Sequence, residues 1–186
     1  DLQDAGLYPY FKPLQSATGP EVIIDGRKVI MVGSNNYLGL TQHPKVKEAA
    51  IHAVEKYGTG CTGSRFLNGN LDLHDQLEIE LAALFGYDEA LVFASGFLAN
   101  VGVIAALGSI PGAVIFSERE NHASLIDGTR LARGEVRLFN DLVDLERQLA
   151  AGGTDWSHAL VVCDAVFSMT GTVMVLRRHA ELKRQY

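Results

Sequence analysis

The chain has 186 residues, of which 47% are hydrophobic and 20% charged, a composition that suits a packed core and not a disordered segment. Its formal net charge of −6 and the lack of a Lys or Arg block argue against a nucleic-acid partner. The two cysteines, Cys61 and Cys163, lie far apart, and we expect reduced thiols in a cytoplasmic protein.

The polar start does not resemble a signal peptide. The most apolar stretch, residues 97–116, is broken by Asn, Gly, Ser and Pro, so no transmembrane segment is expected.

The N-terminal part of the chain predicts an irregular arm followed by a hairpin. Residues 1–20 have mixed polarity and three prolines. In EVIIDGRKVIMV, two apolar runs flank Asp25-Gly26, a residue pair that favours a tight hairpin turn. We interpret residues 1–42 as an N-terminal arm and hairpin, and residues 43–186 as the N-terminal part of a larger domain.

From residue 43 onward the pattern becomes helical and then alternates between strands and helices. Two helices are predicted, at residues 43–58 and at about 73–85. Four strands then alternate with four helices, in the order ALVF, GFLANVGVIAAL, AVIF, ASLIDGTRLAR, VRLF, DLVDLERQLA, ALVVCDAVF and LRRHAELKRQY. This alternation predicts an α/β domain with a largely parallel sheet. The last helix carries no stop signal, so we expect the fold to continue beyond Tyr186.

A glycine-rich string, GTGCTG, matches the spacing of a dinucleotide-binding loop at Gly58, Gly60 and Gly63. That loop requires a strand before it and a helix directly after it. Here a helix is predicted before it and SRFLNGN follows, so a nicotinamide site is not favoured. A loop that closely approaches a ligand or a second subunit fits the small residues better than a plain surface loop does.

Polar residues are predicted at the carboxyl ends of several strands, where ligands of parallel sheets bind. Ser95-Gly96 lies between ALVF and a helix whose free N–H groups favour a phosphate, although an ordinary cap is the simpler interpretation. His122 follows AVIF and either caps a helix or stacks on a flat cofactor ring. Ser168 is placed at the end of ALVVCDAVF and either ends that strand or contacts the same ligand. Asn35, in the loop SNNYLGL, offers an amide to a substrate carboxylate unless it serves a simple turn.

The other histidines lie in helical or loop segments without a second ligand at metal spacing, so no metal site is proposed.

Five segments in this order resemble the α-oxoamine synthase family: SNNYLGL, GTGCTGSRFLNG followed by LDLHDQLE, FASGFLAN, NHASL and VFSMTG. The resemblance covers nearly the whole chain. It implies a pyridoxal-phosphate-dependent transferase fold, similar to aspartate aminotransferase, of which this chain is the N-terminal arm plus part of the large domain.

The resemblance also implies roles for particular residues toward pyridoxal 5′-phosphate. His122 would stack on the pyridine ring, orient the substrate carboxylate and act as the catalytic residue of this part of the chain. Ser95, Gly96 and Phe97 would lie at the cofactor, with backbone N–H groups near its phosphate. Ser168 would donate a hydrogen bond to the phenolic oxygen of the cofactor.

Residues nearer the N-terminus would complete the site across a homodimer interface. Asn35 would contact the substrate, and Ser64 would reach the phosphate region in the neighbouring subunit. The Schiff-base lysine and the aspartate that binds the pyridinium nitrogen would lie beyond Tyr186.

The activity implied by the resemblance is the decarboxylative condensation of an amino acid with an acyl-CoA, and we expect L-serine and palmitoyl-CoA. The alternatives are another family member, such as 2-amino-3-ketobutyrate CoA ligase or 8-amino-7-oxononanoate synthase, and a non-catalytic paralogue without the lysine.

Overall fold

The protein folds into two compact units, Asp1–Asp75 and Gln76–Tyr186. The structure, a computed structural model, describes residues 2–8, 11–151 and 155–186. The division between the units falls within the second helix, and the domain boundary expected after residue 42 stays a prediction. Within the described ranges, no helix is both long and apolar enough to cross a lipid bilayer.

The first unit begins with the predicted arm and hairpin. Strands β1 (Glu21–Ile24) and β2 (Arg27–Ile30) pair antiparallel. Asp25 and Gly26 join them with φ angles of 50° and 70°, the left-handed pair that a type I′ turn requires. The arm is tied to this hairpin because the Gln15 N–H donates to the Ile23 carbonyl at 2.8 Å. The hairpin prediction is confirmed.

Two helices follow, close to their predicted bounds. A short 3-10 turn, Leu40–Gln42, precedes helix α1 (Pro44–Tyr57), and helix α2 spans Asp72–Phe85. Helix α1 starts where the His43 ring accepts a hydrogen bond from the Lys45 N–H and where proline occupies the first position. It ends at Gly58, whose φ of 77° is unfavourable for other residues.

The second unit is an α/β layer structure around a parallel sheet. Its remaining elements, in chain order, are α3 (Gly96–Leu107), β3 (Val114–Glu118), α4 (Ala123–Leu131), β4 (Glu135–Phe139), α5 (Leu142–Ala150), β5 (Ala159–Val162) and α6 (Leu176–Gln185). The strands pair in the order β4-β3-β5, and both pairings are parallel. The predicted parallel α/β sheet is confirmed.

The central strand β3 divides the core of this unit, because alternate side chains of a strand point to opposite faces. Val114 and Phe116 pack on one face with Phe139 and with leucines of α5 and α6. Ile115 packs on the other face with Ile104 of α3 and with residues of α4 and β5. Phe116 and Ile115 are completely buried. The sheet therefore has helices on both faces, and the carboxyl ends of its strands share one edge.

Two predicted strands differ from the structure. ALVF, residues 90–93, joins neither sheet, and the Val92 N–H donates to the Glu78 carboxylate at 2.7 Å. Strand β5 ends at Val162 instead of at Phe167. Beyond Val162 the Asp164 N–H donates a hydrogen bond to the Asn121 side-chain carbonyl at 3.0 Å. Val166 forms an antiparallel bridge with Val173. A strand continues only while a neighbouring strand accepts its hydrogen bonds, and these backbone groups bond elsewhere.

Candidate cofactor site

The start of helix α3 leaves backbone donors beside open space. The Ser95 hydroxyl caps the helix by accepting a hydrogen bond from the Leu98 N–H at 3.2 Å. The N–H groups of Gly96 and Phe97 belong to the first turn, which has no intrahelical acceptors. A Cβ at Gly96 would have no atom within 4 Å, so there is room for a group to approach these donors. Together with the helix dipole, this arrangement fits a phosphate.

His122 lies past the end of β3, as predicted, and combines two properties. Its Nδ1 caps helix α4 by accepting a hydrogen bond from the Ser124 N–H at 3.2 Å. Its ring is exposed and meets the Phe97 ring edge-on, with the centroids 6.3 Å apart and the planes at 75°. The structure therefore brings together two of the residues expected at the cofactor.

Buried polar contacts around His122 settle which ring nitrogen carries the proton. Ser124, only 1% exposed, accepts a hydrogen bond from the Asn100 amide at 3.0 Å. Its hydroxyl lies 2.8 Å from His122 Nδ1 and can donate to it. Because Nδ1 accepts from both the N–H and the hydroxyl of Ser124, the proton of the neutral ring is assigned to Nε2. The imidazole thus presents a donor on the side away from the helix.

Asn121 joins the ends of β3 and β5 and was not identified from the sequence. Its buried amide donates to the Val162 carbonyl at 2.8 Å and to the Ser117 hydroxyl at 3.1 Å. Its carbonyl accepts from the Asp164 N–H at 3.0 Å. The Asp164 carboxylate in turn accepts from the His122 N–H at 2.7 Å. The available sequence signal was the position of Asn121 and Asp164 just beyond apolar strands.

The strand edge carries excess negative charge. Burial raises the pKa of the Glu118 carboxyl, and the nearby charges of Glu120 and Asp164 raise it further, against N–H donors that lower it. Within the ranges that the structure describes, no group of three or more His, Cys, Asp or Glu side chains is placed to hold a metal ion.

Ser168 does not lie at a strand end, in contrast to the sequence-based expectation. It occupies an exposed turn, six residues beyond the end of β5 at Val162. The turn is closed by the Gly171 N–H, which donates to the Phe167 carbonyl at 2.8 Å, and by the Phe167 N–H, which donates to Thr172 at 2.9 Å. The cofactor contact of Ser168 stays a prediction.

In the first unit, the two asparagines of SNNYLGL have different surroundings. Asn36 organises the loop, since its amide donates to the Thr41 hydroxyl at 2.8 Å. Asn35 is exposed and accepts only a long hydrogen bond, 3.3 Å, from the Tyr37 hydroxyl. Asn35 is therefore the one of the two whose amide is available to a ligand.

The glycine-rich loop follows helix α1 and runs to α2, so its context is not that of a dinucleotide-binding loop. The Ser64 carbonyl accepts hydrogen bonds from the N–H groups of the three residues 67–69. A Cβ at Gly63 would lie 1.8 Å from the Asn68 side chain, and one at Gly69 would lie 1.9 Å from the Gly63 carbonyl. Packing within the loop thus accounts for these glycines. Phe66 at the tip is 94% exposed.

Comparison with known proteins places this fold in a family. The family description "Aminotransferase class I and II" matches residues 27–185. A serine palmitoyltransferase from Bacteriovorax stolpii is 46% identical over all of this chain, and one from Bacteroides ovatus is 49% identical over 97% of it. An 8-amino-7-oxononanoate synthase from Geotalea daltonii is 43% identical over all of it. The chain spans about half the length of these curated relatives, 44% to 47%.

Solved structures agree with the sequence comparison. A serine palmitoyltransferase from S. paucimobilis with bound pyridoxal phosphate and myriocin superimposes with a TM-score of 0.91 at 32% identity, over 99% of this chain and 47% of that one. The Sphingomonas wittichii serine palmitoyltransferase gives 0.90 at 33% identity, over 98% and 47%. The predicted pyridoxal-phosphate-dependent transferase fold is confirmed, and the expected cofactor is present in the first of these relatives. The chain belongs to the aminotransferase class I and II family and, within it, to the α-oxoamine synthases.

Proposed function

We propose that this chain supplies cofactor-binding and substrate-orienting residues to a serine palmitoyltransferase, a pyridoxal-phosphate-dependent C-acyltransferase. The reaction condenses L-serine with palmitoyl-CoA, with loss of CO₂, and is the first step of sphingolipid synthesis. The observation that carries the proposal is the pairing of the exposed His122 ring with the open first turn of α3 through Phe97. Similarity to two serine palmitoyltransferases at 46% and 49% identity supports this choice of substrates.

The described residues of the second unit fit the cofactor. The first-turn N–H groups of α3, at Gly96 and Phe97, would bind its phosphate together with Ser95. The His122 ring would stack on the pyridine ring, and Ser168 would donate to the phenolic oxygen. When bound, the cofactor supplies an electron sink for the charge left on the α-carbon of the amino acid.

His122 would also orient the amino acid. Because its Nδ1 accepts hydrogen bonds from Ser124, its Nε2–H is the donor free to bind the substrate carboxylate. A carboxylate that is lost as CO₂ must be held in a fixed orientation while the bond breaks, and one donor on a rigid cap provides that constraint. Asn35 would add a second amide contact to the substrate.

The proposed assembly is a homodimer with Ser64 near the phosphate of the neighbouring subunit. The exposed Phe66 and Leu67, 94% and 79% accessible, support a partner for this loop. The glycines give no independent support, because contacts inside the loop explain them. The cytoplasmic location expected from the sequence stays a prediction.

A second candidate is 8-amino-7-oxononanoate synthase activity. It is favoured by relatives of that name at 43% and 45% identity, each matched over the whole chain. The two activities share the fold and the cofactor, so only the substrates separate them.

The deciding experiment measures release of the CoA thiol by the full-length protein with pyridoxal phosphate. We expect release with L-serine and palmitoyl-CoA, and little with the substrates of 8-amino-7-oxononanoate synthase. The reverse preference would support the second candidate. No release with either pair, together with an intact mass that leaves no room for a further strand and lysine, would support the non-catalytic alternative.

A further inference from the structure

Two soft sulfur atoms and one imidazole nitrogen lie close together between the end of β5 and helix α6. Cys163 Sγ lies 2.9 Å from Met174 Sδ and 3.7 Å from His179 Nε2. All three side chains are half-buried. They line one side of a groove of about 500 Å³ between α5, β5 and α6. The donors therefore lie together at the wall of this groove.

The His179 ring is oriented as a metal-bound histidine is. Its Nδ1 lies 3.0 Å from the Val175 carbonyl oxygen, which can only accept a hydrogen bond. The proton is therefore on Nδ1, and the lone pair of Nε2 faces the cysteine sulfur. Histidines that bind metals almost always donate their other ring N–H to a carbonyl or carboxylate in this way.

The chemistry of the donors selects the metal. Thiolate and thioether sulfurs prefer soft ions such as Cu(I), whereas Mg²⁺ and Ca²⁺ require oxygen ligands. We propose that Cys163, Met174 and His179 bind one Cu(I) ion, with the thiol proton released to solvent as the Cu–S bond forms. This group was not identified from the sequence because no second His, Cys, Asp or Glu lies at metal-ligand spacing from His179 along the chain.

The two distances from Cys163 fit such a site after one adjustment. With bonds as long as those to zinc, about 2.3 Å to sulfur and 2.0 Å to nitrogen, ligand atoms around a three-coordinate ion lie roughly 3.7 Å apart for the S–N pair and 4.0 Å for the S–S pair. The Cys163–His179 separation of 3.7 Å already meets this value. The Met174 sulfur lies only 2.9 Å from the Cys163 sulfur and must move away from it, which the three rotatable bonds of the methionine side chain allow.

Local charge also favours a cation here. The negative charges of the Asp164 and Glu118 carboxylates act on the Cys163 side chain, and the same charges attract a positive ion.

The test is an anaerobic Cu(I) titration of the reduced full-length protein against a chromogenic Cu(I) chelator. We expect the wild type to retain one Cu(I) per chain in competition with the chelator. Cys163→Ala, Met174→Leu and His179→Asn should each weaken retention by at least about tenfold, since loss of even an outer-shell partner of a metal ligand typically costs about 10- to 100-fold in affinity. Cys61→Ala, Met169→Leu and His158→Asn replace the same residue types outside the cluster and should retain the ion. X-ray absorption should report both sulfur and nitrogen ligands.

Three results would overturn the proposal: no competitive retention by the wild type, unchanged retention in the cluster variants, or equal loss in the control variants. Circular dichroism of each variant checks that it is folded. If Cys163→Ala fails to fold, Met174→Leu and His179→Asn decide the question, because both remove a donor while leaving the thiol.

Discussion

Replacing Asn121 with alanine would remove the side chain that joins the ends of two neighbouring strands. Asn121 is 5% exposed and bonds to Ser117 on β3, to Val162 at the end of β5 and to Asp164 just beyond it. In the variant, the Val162 carbonyl and the Asp164 N–H lose these partners, whereas the Ser117 hydroxyl keeps a 3.4 Å contact with the Glu118 carbonyl. An unsatisfied buried polar group costs about 1 to 3 kcal/mol, so two such groups predict a loss of about 2 to 6 kcal/mol of unfolding free energy.

The assay is urea unfolding of the full-length protein at fixed protein and cofactor concentrations, with amide hydrogen exchange of residues 117–122 and 162–167. Asn140→Ala is the matched control, because Asn140 also follows a strand but is exposed and bonds only to Asp144. That change should cost less than about 0.5 kcal/mol, as surface substitutions usually do. If both variants unfold at the same urea concentration and exchange alike, the connection between β3 and β5 does not depend on Asn121.

Other predictions concern the catalytic candidate, the helix packing and the strand edge. His122→Ala should leave cofactor bound but lower turnover, since ring contacts contribute only about 1 kcal/mol; unchanged turnover would leave His122 as a cap alone. Gly128→Ala should lower unfolding free energy by about 1 to 3 kcal/mol in urea, because its Cβ would lie 2.9 Å from Ile104 Cβ. Gly102→Ala meets only the tip of a Phe ring at 3.1 Å and should be neutral or slightly stabilising. Glu118 has a raised folded-state pKa, so the stability it contributes is complete below its ordinary pKa of 4.5 and is lost as the pH rises through the folded value. Glu118→Gln should therefore be more stable than the wild type near pH 7 and lose this advantage below pH 4.5 in thermal unfolding.

Local sequence patterns were sufficient for the helices and the hairpin. Helix α3 matches its predicted bounds at both ends, and Asp25-Gly26 forms the expected turn. The signals concerned, a cap at one end and a turn pair between two apolar runs, act over a few residues. Strands were less predictable. ALVF is as apolar as AVIF, but it pairs with no strand among the described residues.

Site residues could be predicted from the sequence where they depend on neighbouring residues, but not where they depend on contacts with distant parts of the chain. Ser95 as a cap and His122 past β3 were predictable because both depend on adjacent residues. The contacts of Asn121 with Val162 and Asp164 span 41 and 43 residues, so no spacing rule could reveal them. For Gly63 a nearby intrachain contact with Asn68 gives a local reason for the glycine, and the approach of its loop to a ligand or a second subunit stays a prediction.

The two interpretations of His122 offered by the sequence, helix cap and cofactor contact, are compatible in the structure. The cap uses Nδ1, which faces Ser124, and leaves the ring face and the Nε2–H on the opposite side. Capping also holds the ring against rotation, because Ser124 is itself held by the Asn100 amide. A ring that must stack on a cofactor and donate to a substrate benefits from that rigidity, since preorganised donors need no rearrangement during the reaction. His122→Asn keeps a side chain suited to helix capping and therefore separates the two roles better than alanine does. If His122 affects turnover through the cap, His122→Asn should recover the turnover that His122→Ala loses. If the ring itself is required, both variants should lose turnover to the same extent.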